Sequence, residues 1–207
     1  MRFIFSILFV FTTLTYFAWS AADERELYDE ISNHGELAKL GQVCPSTLIQ
    51  PEDMPFENLT SICEKDGTYC LKRCLENSSN HCFGLANHFN VTDENSEVYS
   101  RSLYSKSCQL GLASACTNAA AGIKRNDGLN QAICYTETFS KTCALDDPWG
   151  CTMYAVSLIY AEGVDKDLDK ALSVMRKSCR FGDTDPACSG ASGAIELATQ
   201  ILKGDFD

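Results

Sequence analysis

The chain has 207 residues, and its 28 acidic side chains outnumber its 17 basic ones to give a formal net charge of −11 at pH 7. Nucleic acid and anionic membrane surfaces would repel this charge, so the composition argues against both as partners. The twelve cysteines are an even number, as full pairing requires, and they predict an oxidised, disulfide-bonded protein.

The amino-terminal segment, residues 1–20, has one positive charge at Arg2, an uncharged apolar run from Phe3 to Trp19, and small residues directly after it. This pattern predicts a secretory signal peptide. An uncleaved anchor is the alternative, because an apolar run of this length could just span a bilayer. A mitochondrial presequence fits less well, because those are amphipathic and rich in arginine. We therefore expect a secreted or periplasmic protein, or one in the secretory lumen if the source is eukaryotic, with no stable membrane insertion after cleavage.

Residues 21–62 are predicted to form an amino-terminal capping helix and a proline-containing loop. The helix covers residues 24–40 and is rich in acidic residues. Its partial apolar stripe consists of Leu27, Ile31, Leu37 and Leu40. The loop covers residues 44–62, where the prolines are Pro45, Pro51 and Pro55.

Residues 63–207 are predicted to be an array of similar units that ends in a capping helix from Cys188 to Leu202. Four cysteine pairs mark the array: Cys74 and Cys82, Cys108 and Cys116, Cys143 and Cys151, Cys179 and Cys188. Successive pairs begin 34, 35 and 36 residues apart, so each unit is closed by its own local disulfide. Structural zinc is the alternative, but these gaps, repeated without histidine, do not match the spacing of a zinc site.

Each unit is predicted to contain two antiparallel helices. A large apolar residue stands four positions before the first cysteine of a pair, as at Tyr104, Phe139 and Met175. That spacing puts both residues on one helical face. The lysine two positions before the cysteine, as at Lys106, Lys141 and Lys177, is expected to point to solvent near a helix carboxyl end.

Four cysteines fall outside the regular pairs: Cys44, Cys63, Cys70 and Cys134. We expect Cys44 to tie the proline-rich loop to Cys63 or Cys70. The partner of Cys134 stays open, because sequence alone does not determine connectivity.

The stretch from Cys151 to Val164 reads CTMYAVSLIYAEGV and is followed by Asp167, Lys170-Ala171, Cys179 and Gly182. It resembles a Sel1-like repeat, whose pattern is helix, Gly-Val turn, Asp-x-x-Lys-Ala, helix and glycine. The earlier units depart from this pattern, because they lack the Gly-Val turn at residues 91–95 and 125–128.

The added cysteines make the chain similar to cysteine-rich secreted Sel1-like proteins, best known as Helicobacter cysteine-rich proteins. More distantly, it is similar to a cysteine-rich mitochondrial assembly factor with the same repeats. The resemblance implies an all-α fold, a right-handed α/α solenoid of Sel1-like, TPR-like repeats. It also implies a scaffold for protein–protein interaction.

The Helicobacter proteins have been described as penicillin-binding or weakly penicillin-hydrolysing, so the resemblance implies a weak β-lactamase as the alternative function. The sequence contains no Ser-x-x-Lys, Ser-Asp-Asn or Lys-Thr-Gly motif, and Lys141-Thr142 is followed by Cys143. The three histidines, His34, His81 and His88, stand in no catalytic motif. We therefore expect no cofactor and no metal, and an enzyme is the less favoured interpretation.

A protein or peptide partner is the remaining expectation, bound by a monomer on the concave face that the first helices of the units line. The candidate contact residues are His88, Arg125, Met153, Ser157 and Tyr160. Met153 and Tyr160 are the best anchors, because a large apolar side chain facing solvent is unfavourable unless a partner covers it. The alternative is that the last helix, from Cys188 onward, covers them.

Three glycosylation sequons begin at Asn58, Asn77 and Asn90. They are plausible acceptors if the source is eukaryotic and carry no meaning if it is bacterial.

Overall fold

The computed structural model describes residues 25–92 and 96–203, so the signal peptide predicted at residues 1–20 lies outside the described residues. Most of the described residues are helical, with no strand among them, and the all-α prediction is confirmed. The helices are α1 (residues 25–33), α2 (Gly35–Leu40), α3 (Thr60–Cys63), α4 (Gly67–Leu75), α5 (Ser79–Thr92), α6 (Glu97–Gln109), α7 (Ala113–Asp127), α8 (Ala132–Ala144), α9 (Pro148–Tyr160), α10 (Leu168–Ser178) and α11 (Pro186–Lys203).

Aspartate side chains cap three of these helices at their amino ends. Asp66 accepts a hydrogen bond from the backbone of Tyr69, Asp147 from Gly150 and Asp167 from Lys170, at 2.8, 2.7 and 2.9 Å. Each bond satisfies a backbone N–H that the first helical turn leaves without a partner. The caps therefore define where α4, α9 and α10 begin.

The turns that lie between the two cysteines of each regular pair share one backbone feature. Three residues after the first cysteine of each pair, the chain has a positive φ: Asn77, Gly111, Asp146 and Gly182, at 67°, 101°, 63° and 100°. Glycine, asparagine and aspartate tolerate this left-handed conformation better than other residues. A single such residue ends one helix and lets the chain reverse into the next.

Each helix from α4 to α11 packs against the next one along the chain, and α11 also packs against α9. The fold is therefore repeat-like, as the cysteine period predicts. Tyr104, Phe139 and Met175, the apolar residues predicted for one face of the second helices, are all buried. They belong to two successive hydrophobic clusters, one formed by α1 to α7 and the other by α7 to α11.

The predicted amino-terminal helix is two helices in the structure. Leu27, Ile31, Leu37 and Leu40 are buried, as their spacing predicts. His34 has an extended backbone, with ψ 103°, and separates α1 from α2. The break lets α2 pack against α6.

One of the three lysines predicted to face solvent is buried. Lys106 is 6% exposed at its side chain and forms a 2.6 Å ion pair with Glu36 of α2, whereas Lys141 is 46% exposed and Lys177 is also exposed. The prediction for Lys106 was wrong because α2 packs over this part of α6 and covers the position.

The proline-containing segment, residues 44–59, is called the strap here because it runs across the ends of several helices. Its Ser46 carbonyl accepts from Lys141 of α8 at 3.1 Å, and its Met54 N–H donates to Gly111 after α6 at 3.0 Å. Further along, Asn80 of α5 accepts from Glu57 N–H at 3.0 Å. The strap thus crosses from α8 back to α5, against the order of the helices in the chain.

Candidate binding groove

Disulfides join the end of one helix to the start of the next at four junctions. The bridges are Cys74–Cys82, Cys108–Cys116, Cys143–Cys151 and Cys179–Cys188, with Cα–Cα distances of 4.6, 4.7, 4.4 and 4.5 Å. These are the four pairs that the repeat spacing indicates. All twelve cysteines lie among the described residues and none is free, so the protein is oxidised and disulfide-stabilised.

The other two bridges join Cys44 to Cys134 and Cys63 to Cys70. The expectation that Cys44 would pair with Cys63 or Cys70 was wrong. The strap begins beside α8, so Cys44 meets Cys134 in the first turn of that helix, 90 residues away in sequence. Cys63 and Cys70 instead bridge the short turn between α3 and α4, only seven residues apart.

Pairs of buried hydroxyl groups link the consecutive helices that no disulfide joins: α5 to α6, α7 to α8 and α9 to α10. The paired oxygens belong to Ser79 and Ser107, Thr117 and Thr142, and Thr152 and Ser178, and lie 3.0, 2.9 and 2.9 Å apart. Each second member directly precedes the first cysteine of a pair. At one end of the helical array, covalent bridges therefore alternate with hydrogen bonds from α4 to α11.

An open groove of about 880 Å³ runs along the first helices of the units, α5, α7 and α9. From these helices it is lined by Phe83, Asn87, Ser114, Thr117, Asn118, Ala121, Trp149 and Met153. The strap contributes Asp53, Phe56 and Asn58 to its wall. The turns before α9 and α11 contribute Asp146, Asp147, Arg180 and Phe181, and α11 contributes its first residue, Pro186. Of the five contact residues predicted from the sequence, the groove includes Met153.

One position of the repeat faces the groove in three successive units. Two residues before the second cysteine stand Ser114, Trp149 and Pro186, and all three line the groove. In the first unit this position is Asn80, which the strap covers. The repeated position therefore follows the length of the groove.

Large aromatic side chains at the groove are exposed to solvent. Trp149 is 45% exposed, Phe56 55% and Phe181 64%. Sequence reasoning missed all three. For Trp149 a signal existed in its place two residues before Cys151, but Phe56 and Phe181 lie in non-helical segments whose direction the helical period does not predict.

The charged groups of the groove are three aspartates and one arginine. Arg180 lies over the ring of Phe181 and pairs with Asp146, with 3.5 Å between guanidinium and carboxylate. Burial raises the pKa of Asp147, and the nearby Asp53 carboxylate adds to this, while hydrogen bonds from Thr117 and Gly150 oppose it. Among the described residues, no ion pair neutralises Asp53.

The five candidate contact residues separate in the structure. Met153 lines the groove, whereas His88, Arg125 and Tyr160 do not. Arg125 pairs with Glu97 at 2.6 Å, and Tyr160 is exposed at the far end of α9, so α11 does not cover it.

The prediction that Ser157 contacts a partner was wrong. Its side chain is fully buried, and its hydroxyl lies 3.0 Å from that of Thr136 in α8. The four-residue step from Met153 to Ser157 suggested a shared face, but the close packing of α8 on α9 covers Ser157.

The sequon asparagines occupy three different environments. Asn58 lies at the wall of the groove, Asn77 forms an exposed left-handed turn, and Asn90 is exposed on α5. A glycan on Asn58 would therefore stand at the edge of the groove.

In the part of the chain that the structure describes, one cluster has atoms of the kind that bind metals: Cys179, Asp183 and Cys188. Both of its sulfurs are used in the disulfide between Cys179 and Cys188. A bridged sulfur is not the thiolate that zinc requires. Among the same described residues, no helix has the length and hydrophobicity to span a membrane.

The chain is similar to two curated proteins of Xenopus. It is 30% identical over 125 residues to cytochrome c oxidase assembly factor 7A of Xenopus laevis and 29% identical over 125 residues to cytochrome c oxidase assembly factor 7 of Xenopus tropicalis. Each alignment covers 56% of this chain and 49% of the relative, so the chain spans about half the length of the curated relatives it matches. No family model matches the chain, and no solved structure matches it.

Proposed function

We propose that this protein is a scaffold of Sel1-like repeats that binds a protein or peptide partner in the groove along its first helices. The observation that carries the proposal is the exposure of Trp149, Phe56 and Phe181 around one groove. Clustered exposed aromatics are typical of interaction sites, because their burial by a partner is favourable. The disulfides and hydroxyl pairs that link the helices beside the groove favour a preformed binding surface.

The similarity to two proteins named as assembly factors supports a partner that is itself a protein. By this analogy, the partner would be a subunit of a complex under assembly, and cytochrome c oxidase is one candidate complex. Six disulfides require an oxidising compartment. We place the protein on the export pathway, secreted or periplasmic or in the secretory lumen, because of the signal-like residues 1–20. A mitochondrial oxidising compartment is the alternative that the analogy favours.

The binding proposal is tested with a photocrosslinking amino acid placed at Met153, in the groove, and at Leu129, which is exposed on the turn after α7 and does not line it. Irradiation in the producing cells should give one defined adduct from position 153 and none from position 129. The adduct should disappear when Phe181 is also replaced by alanine. Equal labelling at both positions, or no adduct at position 153, would contradict the proposal.

The export proposal is tested by the intact mass of the protein purified from its native cells without reductant. A mature chain that begins near residue 21 is expected, and alkylation should add no mass to it. A retained amino terminus would contradict cleavage. Nitrocefin turnover by the same material measures the β-lactamase alternative, and activity that survives purification would favour it.

A further inference from the structure

The strap places an extended segment of the chain itself against the first unit. The side chain of Asn80 holds this segment at two points, accepting from Glu57 N–H at 3.0 Å and donating to the Pro55 carbonyl at 3.2 Å. An asparagine amide that pairs with both a donor and an acceptor of the main chain recognises extended backbone without regard to side chain.

The position that Asn80 occupies recurs in the open part of the groove as Ser114, Trp149 and Pro186. The first unit is thus occupied by the strap, which also bonds to the backbone of Gly111 and Ala113 at the start of the second unit. In the next two units, Trp149 and Pro186 are exposed to solvent. The groove is continuous with the strap, because Asp53 and Phe56 form part of its wall. An extended segment is therefore the shape of ligand that this face already holds once.

The exposed aromatic residues of the groove require apolar side chains on its ligand. Trp149 lies on α9, Phe181 lies on the turn before α11, and both line the same groove. A ligand that covers them needs bulky apolar side chains of its own, since polar groups placed against these rings would lose their hydrogen bonds to water without replacement.

The aspartate carboxylates of the groove favour positive charge on its ligand. Arg180 is the single cation that lines the groove among the described residues, and it is paired with Asp146. Asp53 lies at the wall of the groove without a cationic partner among the described residues, and the whole chain has a formal net charge of −11. Lysine or arginine on the ligand complements this surface, whereas an acidic ligand would be repelled.

We propose that the groove takes an extended peptide segment in which bulky apolar residues stand next to lysine or arginine, with the apolar side chains on Trp149 and Phe181 and a cation near Asp53. This proposal rests on the proposed function, since it names the chemistry of the partner that the scaffold binds.

The test uses a short fluorescein-labelled peptide in which lysines alternate with phenylalanines, titrated with oxidised protein and followed by anisotropy. Two matched peptides carry glutamate in place of lysine or serine in place of phenylalanine. The lysine–phenylalanine peptide should bind, and both matched peptides should bind at least about tenfold more weakly.

Variants locate the binding on the protein. Trp149→Ala should weaken binding about tenfold, and Asp53→Asn about threefold, because the asparagine keeps the acceptor for Ala113 N–H but removes the charge. The controls are Leu129→Ala and Glu52→Gln, which change an exposed apolar side chain and an exposed carboxylate that do not line the groove. Intact mass without reductant and a thermal melt show that each variant keeps its disulfides and fold.

Binding that the control variants weaken as much as the groove variants would overturn the proposal, because it would show attraction to the acidic surface as a whole. Equal or tighter binding of the glutamate peptide would also overturn it. Neither result contradicts the scaffold function, which fails if the crosslinker at Met153 gives no defined adduct or labels no more than the crosslinker at Leu129.

Discussion

Thr117 in α7 donates a 2.6 Å hydrogen bond to Asp147, the residue that caps α9, and so connects the first helices of two successive units. Asp147 also accepts from Gly150 N–H at 2.7 Å, and Thr142 of α8 lies 2.9 Å from Thr117. This buried network stands directly behind the groove, where Thr117 and Asp147 are part of the lining.

Asp147→Asn tests the electrostatics of this network. Burial holds the pKa of Asp147 above its ordinary value of 3.8, so its contribution to stability is fully present below pH 3.8 and is lost as pH rises through the folded pKa. Asparagine keeps the capping acceptor but does not titrate. The free energy of unfolding of wild type minus that of the variant should therefore fall as pH rises. Urea unfolding at about pH 3.5, 5 and 7 measures this difference, and a rise with pH would show that the ionised form is the favoured one.

Gly150→Ala tests the packing of the same network. A Cβ at Gly150 would collide with Thr142 Oγ1 and approach Asp147 Oδ2. We expect a loss of about 2 kcal/mol in the free energy of unfolding. Gly193→Ala in α11 is the matched control, because a Cβ there meets nothing within 4 Å and alanine is the better helix former, so a gain of about 0.5 to 1 kcal/mol is expected. Equal effects of the two substitutions would contradict the close approach at Gly150.

The features that the sequence predicts well depend on residues close together in the chain. The bridge between Cys108 and Cys116 joins residues eight positions apart in the sequence. So short a spacing, repeated along the chain, predicts a turn between two helices at each pair. The apolar faces of the second helices are predicted from equally local spacing, because Phe139 and Cys143 are four residues apart and therefore lie on one face of the helix. One member of each hydroxyl pair follows the same period, since Ser107 and its equivalents each precede the first cysteine of a pair. The partners do not follow it, because Ser79 stands three residues before its cysteine whereas Thr117 and Thr152 each directly follow theirs.

The features that the sequence does not predict depend on contacts between segments that are far apart in the chain. Cys44 and Cys134 are 90 residues apart, and no period relates them. Lys106 carries the same local pattern as Lys141, yet only Lys106 is covered, because α2 happens to pack on α6. The groove wall has the same origin, since Phe56 reaches it on an extended strap whose course no helical pattern encodes.

Glu36→Gln tests the buried ion pair of Lys106. Glutamine leaves a largely buried ammonium without its counter-charge, so we expect a loss of about 1 to 2 kcal/mol in the free energy of unfolding. The control is Glu137→Gln, which breaks the pair with Lys141, where both side chains are about half exposed. That change should lower stability by less than about 0.5 kcal/mol. Similar losses in the two variants, measured by urea unfolding, would show that burial of Lys106 adds nothing to the pair.

Replacing Cys44 and Cys134 together by serine tests how the strap is held. By the chain-entropy estimate, a bridge over 90 residues contributes about 4.6 kcal/mol, and one over nine residues about 2.6 kcal/mol. The strap is otherwise attached mainly by hydrogen bonds, and residues 51–58 are exposed. We therefore expect chymotrypsin to cleave after Phe56 faster in this variant than in wild type, as followed by mass spectrometry without reductant.

The control for the strap variant replaces Cys179 and Cys188 by serine, which removes a bridge at the other end of the array. This change should lower stability by the smaller amount and leave cleavage after Phe56 at the wild-type rate, because the strap has no bond to that junction among the described residues. Equal acceleration in both variants would mean that Phe56 is exposed by global unfolding. Unchanged cleavage in the Cys44/Cys134 variant would mean that the hydrogen bonds of the strap to α5, α6 and α8 hold it without the bridge.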